Sequence, residues 1–118
     1  CDVISASHPI YNDEDVSNKN CVKVIINSSG YAENFERNLS IKLDDSVMRH
    51  IGIYGYKYRT LSKIINLEPT PNELEHKLEQ LRFLDNSLSI YMTQYKGVVP
   101  PGIDTKKDVI RAEKYLQI

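Results

Sequence analysis

Three stretches of the chain carry the short, β-branched or alternating apolar runs of strands. Asp2 to Ser7 is the first, and His8-Pro9-Ile10 ends it, because proline removes a donor and extends the residue before it. Cys21-Val22-Lys23-Val24-Ile25-Ile26 is the second, and Arg49 to Tyr58 is the third. Between the first two, Tyr11 to Asn20 is polar and reads as a loop with room for one helical turn. Asn27-Ser28-Ser29-Gly30 is turn chemistry, so Tyr31 to Arg37 is expected to return as the second arm of a hairpin. Asn38 to Val47 shows no clear period, and Leu88 to Met92 reads as a further short strand.

The pattern becomes helical after Leu61, where Leu61 to Ile65 supports a short helix. Thr70-Pro71-Asn72-Glu73 combines an N-cap threonine, a proline at the first helical position and a glutamate closing a capping box. Leu74, Leu78, Leu81 and Leu84 follow at spacings of four, three and three, which predicts one apolar helical stripe. Val98 to Gly102 reads as a loop. Thr105 with Asp108 repeats a cap pattern, and Val109, Ala112 and Leu116 line a last helix. The order of elements predicts an α/β fold, part of a larger open sheet. There is no internal repeat and no low-complexity segment.

Composition narrows the picture without redirecting it. A length of 118 residues fits one domain or part of one, and 41% apolar with 26% charged residues is ordinary for a globular protein. A net charge of −1 supplies no broad field for nucleic acid or a membrane surface, and no apolar run approaches a membrane span. Cys1 and Cys21 are too few for a disulfide framework or a zinc site, and both read as buried thiols of a reducing compartment, favouring the cytoplasm. The chain opens inside a strand with neither initiator methionine nor signal peptide, so a fragment is expected; a domain matured by processing is the alternative.

Three constellations could carry chemistry. Alternation along Arg49 to Tyr58 places His50, Gly52, Tyr54 and Tyr56 on one face, and Ile51, Ile53 and Gly55 on the other. Gly52 leaves a gap between an imidazole and a phenol that a ligand could enter; a wet sheet face or a bulge at the glycine reads the same pattern. In Leu78-Glu79-Gln80-Leu81-Arg82, Glu79 and Gln80 flank the apolar stripe and could hydrogen-bond hydroxyls at a cleft edge. An i,i+3 pair of Glu79 with Arg82 on a solvated face is the plainer reading. Pro100-Pro101-Gly102-Ile103-Asp104-Thr105 sets a carboxylate just before a helix, where it suits Mg²⁺, while capping of the helix is compatible with that role. His8 and His76 have no partners at metal-ligand spacing. No Walker A loop, G-x-G-x-x-G or G-x-S-x-G occurs.

Arg49-His50-Ile51-Gly52-Ile53-Tyr54-Gly55-Tyr56, Leu78-Glu79-Gln80-Leu81-Arg82 and Pro101-Gly102-Ile103-Asp104-Thr105, in this order, resemble the C-terminal half of 3-deoxy-manno-octulosonate cytidylyltransferase (CMP-Kdo synthetase). His8-Pro9-Ile10 and Asn20 to Ile25 resemble the same family, so the likeness runs along nearly the whole chain. It implies the C-terminal portion of a Rossmann-like nucleotidyltransferase sheet, with flanking helices and a hairpin extension. It implies the reaction of CTP and Kdo to CMP-Kdo and pyrophosphate, for lipopolysaccharide synthesis in Gram-negative bacteria, with Mg²⁺ neutralising phosphate charge. By resemblance, His50, Tyr54, Glu79 and Gln80 bind the sugar acid and Arg37 faces its carboxylate. Asp104 is one of two metal aspartates, and a homodimer forms through the sheet extension around residues 22 to 50.

Two departures qualify the likeness. Phe35-Glu36-Arg37 and Asn38-Leu39-Ser40-Ile41 stand where the family carries Phe-Ser-Arg and Ser-x-Ile-Pro, so Arg37 is present in altered surroundings. The family's N-terminal half, with its basic glycine-containing phosphate loop, cytosine pocket and other metal aspartate, has no counterpart in this chain. The chain is therefore expected to be inactive alone, because positioning and charge neutralisation are most of phosphoryl-type catalysis. A non-enzymatic dimerisation or sugar-acid-binding remnant is the alternative, and a transferase for another sugar, such as a sialic acid, is a weaker one.

Overall fold

The β-branched runs pair into one mixed sheet. The computed structural model describes residues 1–11, 13–97 and 106–116, with the side chains of residues 111 and 115 left aside. Its strands are β1 (Val3–His8), β2 (Lys23–Ile26), β3 (Ala32–Glu36), β4 (Val47–Tyr56) and β5 (Ile90–Gln94). Its helices are α1 (Asp13–Ser17), α2 (Tyr58–Ile64), α3 (Pro71–His76), α4 (Leu81–Asp85) and α5 (Lys106–Leu116). The sheet order is β3-β2-β4-β1-β5, parallel only between β1 and β5. The α/β expectation holds, with β2 and β3 forming the expected hairpin. Gly30 turns that hairpin at φ 90°, and a Cβ there would lie 2.8 Å from the Tyr91 ring. The Met92 N–H donates to the Gly30 carbonyl at 2.9 Å, so the hairpin tip meets the far edge strand.

Register fixes which side chains share a face. Val3 pairs with Tyr56 and Ile90, Ser5 with Tyr54 and Met92, and Ser7 with His50 and Gln94. Directly opposed residues lie on one side of a sheet, so His50, Tyr54 and Tyr56 share the side of Val3, Ser5 and Ser7. Leu78, Leu81 and Phe83 pack into the core with Val3, Val24, Ile26, Phe35, Ile90 and Met92. Burying each such side chain stabilises the fold by roughly 1.5–3 kcal/mol. The partner of β1 jumps from Tyr54 to Ile51 between Ser5 and Ala6, leaving Gly52 and Ile53 as two extra residues. Two is an even number, so alternation survives the bulge. The bulge read as an alternative in the sequence is present; the space above Gly52 is open, but the His50 and Tyr54 ring centroids approach to 5.6 Å and leave no gap between them.

The single helical stripe from Leu74 to Leu84 is overturned. Helix α3 ends at His76, Lys77 takes the left-handed conformation at φ 54°, and α4 starts only at Leu81. Leu74 is 63% exposed, while Leu78 and Leu81 are buried, so the core is fed by the break and not by a continuous helix. The capping box at Thr70 and Glu73 is present as expected. Arg82 pairs with Glu73 at 2.5 Å and 2.7 Å and not with Glu79, which tethers α4 to the start of α3. Of the two cysteines only Cys21 is buried, and Cys1 is exposed, because the chain's first residue lies outside β1. Among the described residues no helix is long and apolar enough to cross a membrane.

Candidate functional site

Strand β4 delivers its even-numbered residues to one side of the sheet, and there His50 is held from several directions. Its Nε2 lies 2.8 Å from Ser5 Oγ, and its ring meets Phe35 edge-on at 4.9 Å. Burial lowers its pKa from 6.5 to about 4, so the imidazole is neutral at pH 7. Tyr54 lies 5.6 Å from the His50 ring and stacks with Tyr56 at 6.1 Å. Phe83 of α4 meets both tyrosines edge-on. Burial first, then the neighbouring Tyr56 and Glu79, push the Tyr54 phenol upward, so it stays protonated and can donate or accept.

The opposite wall is the non-helical segment from Lys77 to Gln80. Arg37, just beyond β3, holds it in place. The Arg37 Nε–H donates to the His76 carbonyl at 3.1 Å, and Nη2 donates to the Lys77 carbonyl at 2.9 Å. Nη1 donates to the Lys19 carbonyl at 3.2 Å. A guanidinium on the last carbonyls of α3 satisfies groups the helix leaves open and suits the negative end of its dipole. Arg37 is anchored in turn: its own carbonyl accepts from Lys23 Nζ at 2.5 Å, and Lys23 is fully buried. With Lys77 left-handed, the chain turns so that Leu78 and Gln80 are buried while Glu79 stays exposed.

These two walls enclose a cavity of about 420 Å³ that Arg37, His50, Tyr54, Glu79 and Gln80 all line. The sequence motifs pointed to His50, Tyr54, Glu79 and Gln80, the family resemblance alone added Arg37, and the fold brings the five together. Gly52 opens the floor: a Cβ built there meets nothing within 4 Å. Gln80 is 6% exposed, and no described residue hydrogen-bonds its side-chain amide, which leaves that amide for a ligand. Lys77 and Phe83 also line the cavity and carried no signal in the sequence. Tyr56 does so too, and strand alternation had already placed it beside Tyr54. Ser5 was missed altogether, because its contact with His50 is a cross-strand pairing that no local pattern announces. The cavity thus presents hydroxyl, imidazole, amide and carboxylate groups on an aromatic wall, with Arg37 and Lys77 as its cations. That set suits a polyhydroxylated anion of small size.

Asp104, the expected metal ligand, lies outside the described residues, as does the cap at Thr105. No group of three His, Cys, Asp or Glu residues able to hold a metal occurs among the described residues. His8 Nδ1 lies 2.9 Å from the Pro9 carbonyl, and neither His8 nor His76 lines the cavity.

No family model matches the chain. The 3-deoxy-manno-octulosonate cytidylyltransferase of Dichelobacter nodosus is 39% identical over 100 residues, covering 80% of this chain and 41% of that protein. A solved structure of CMP:2-keto-3-deoxy-manno-octonic acid synthetase complexed with CTP shares the fold at a TM-score of 0.81. The identity there is 24%, and the match covers 99% of this chain and 50% of that one. The chain spans about half the length of the relatives it matches. The resemblance to CMP-Kdo synthetase seen in the motifs is therefore present over most of this chain, and the nucleotidyltransferase fold is shared.

Proposed function

We propose that this chain forms the sugar-acid side of a cytidylyltransferase that converts CTP and Kdo to CMP-Kdo and pyrophosphate, and that it does not turn over alone. The observation that carries this reading is the convergence of Arg37, His50, Tyr54, Glu79 and Gln80 on one cavity. The 39% identical relative bears the corresponding name. The chemistry is consistent: Glu79 accepts from sugar hydroxyls, and the Gln80 amide both donates and accepts. Arg37 keeps N–H groups beyond the three it gives to carbonyls, since a guanidinium carries five, and can add a contact to the sugar's carboxylate.

Mg²⁺ enters this reading through Asp104, whose carboxylate is a hard oxygen ligand of the type the ion prefers. The described residues add no metal cluster, so the remaining ligands are assigned to phosphate, water and the part of the enzyme outside this chain. Pairing of two copies through the β2–β3 hairpin and a cytoplasmic location complete the proposal.

The test is calorimetric titration of the chain with Kdo, then with CTP, beside a pyrophosphate-release assay on a longer form carrying the missing half. Kdo binding here with turnover only in the longer form is the expected result. Absence of turnover in the longer form sinks the enzymatic reading. Kdo binding without turnover in any form favours a sugar-acid-binding remnant.

A further inference from the structure

Ser5 lies on β1 beside His50 and is 3% exposed. Its Oγ is 2.8 Å from the Ile53 carbonyl, 3.4 Å from the Ile51 carbonyl and 2.8 Å from His50 Nε2. A serine hydroxyl carries one proton, whereas a carbonyl only accepts. The short contact to Ile53 therefore takes that proton. Were the proton given to the imidazole instead, two acceptor oxygens would face each other at 2.8 Å in a buried site, at the cost of an unmade hydrogen bond. With the proton on Ile53, Oγ can only accept from His50, and Nε2 must carry hydrogen. A neutral imidazole has one N–H, so Nδ1 keeps its lone pair.

The β4 bulge makes this possible. Gly52 and Ile53 are its extra residues, and the carbonyls of Ile51 and Ile53 both lie against Ser5. No described residue donates to His50 Nδ1, and that atom is not sealed from solvent, since His8 Nε2 alone is buried without a partner among the described side chains.

We infer that Ser5 is a positioning residue which fixes the His50 tautomer, so that the cavity presents an imidazole acceptor and His50 receives a ligand hydroxyl instead of contacting a carboxylate. The ligand part rests on the sugar-acid reading above; the tautomer part does not. It assigns the two ends of the ligand: hydroxyls toward β4, and the anionic group toward Arg37 and Lys77. Lys77 lines the same cavity beside Arg37.

The experiment is two-bond ¹H–¹⁵N correlation spectroscopy of the ¹⁵N-labelled chain at pH 7, with His50 assigned by comparison with His50→Gln. The expected spectrum shows hydrogen on Nε2 and a bare Nδ1. Ser5→Ala should give a mixture of tautomers and weaken Kdo binding roughly two- to tenfold, and Ser5→Thr should restore both. A purely structural hydroxyl would leave the tautomer untouched. Hydrogen on Nδ1 in the unaltered chain overturns the inference, as does an unchanged tautomer in Ser5→Ala. If Ser5→Ala fails to fold, Ser5→Cys takes its place, since a thiol sulfur is only a weak acceptor, and an unchanged tautomer there overturns the inference likewise. The expected tautomer together with no Kdo binding would remove the sugar-acid reading and leave the Ser5 assignment standing.

Discussion

Strand β4 and the segment from Lys77 to Gln80 face each other across one cavity, yet they are built by different means. β4 is specified locally. Its alternation sends His50, Tyr54 and Tyr56 to one side, and an even-numbered bulge at Gly52 and Ile53 preserves that order. The opposite wall is specified at a distance. Lys77 adopts a left-handed conformation that a lysine favours little, and Arg37, 40 positions away, donates to its carbonyl. One wall of the candidate site is thus a rigid ladder, while the other depends on a few side chains tying α3, α4 and the hairpin together.

The largest expected effect comes from cutting the main tie of the second wall. Glu73 is 5% exposed and accepts from Arg82 at 2.5 Å and 2.7 Å, while also holding the Thr70 N–H. Arg82→Ala would leave that carboxylate buried beside no cation, costing roughly 3 kcal/mol in denaturant unfolding. Amide exchange should rise through α3 and α4 and stay slow in β4. Equal loss of protection in both walls would erase the distinction between them.

A pH titration probes the first wall. The His50 pKa is about 4 in the folded chain, against 6.5 ordinarily, and burial is the cause. Between those values the unfolded chain binds a proton that the folded chain refuses, so stability is complete above 6.5 and falls as pH drops toward 4. From pH 7 to pH 5 the His50 contribution should be a loss of roughly 2 kcal/mol. His8 is shifted in the same direction by burial, so the measurement is the difference in slope between the unaltered chain and His50→Gln. Identical slopes would mean that His50 is not buried as described.

The contrast also explains how much was legible in the sequence. Strand alternation found His50 and Tyr54 together and marked the open space at Gly52, because a two-residue period needs no tertiary information. The capping box at Thr70 and Glu73 was readable for the same reason. The leucine spacing from Leu74 to Leu84 misled, because it fits a helix equally well whether or not the helix continues. What stops α3 is Arg37 on its terminal carbonyls and Glu73 reaching Arg82, and neither contact has a local signature. Glu79 and Gln80 were therefore named correctly as lining residues from a segment whose conformation was wrong. Ser5 lay beyond reach, since its meaning arises only from the register of β1 against β4.

A smaller effect is expected at Arg37. Arg37→Met keeps the aliphatic stem and removes donors to three carbonyls that water can partly serve, so stability should fall by about 1–2 kcal/mol. The amides of Leu78 and Leu81, bonded to the Glu73 and Leu78 carbonyls, should exchange about tenfold faster, a ratio set by the same energy scale. Unchanged exchange at these two amides would show that Lys77 keeps its conformation without the guanidinium, and the wall would then be as local as β4.

The smallest expected change in stability separates folding from binding. At Gly52 an added Cβ meets nothing within 4 Å, and the residue is exposed on the cavity floor. Gly52→Ala should therefore fold normally, shifting stability by less than about 1 kcal/mol, with the lower backbone entropy of alanine acting in its favour. The methyl group would nevertheless project from the cavity floor into open space that the proposed ligand uses. Titration with Kdo should show affinity falling about tenfold or more, as expected when a close contact is lost to a clash. A variant that folds and binds as well as the unaltered chain would mean that the glycine serves the bulge alone. The ligand-facing wall of the cavity would then have to be sought nearer Glu79 and Gln80.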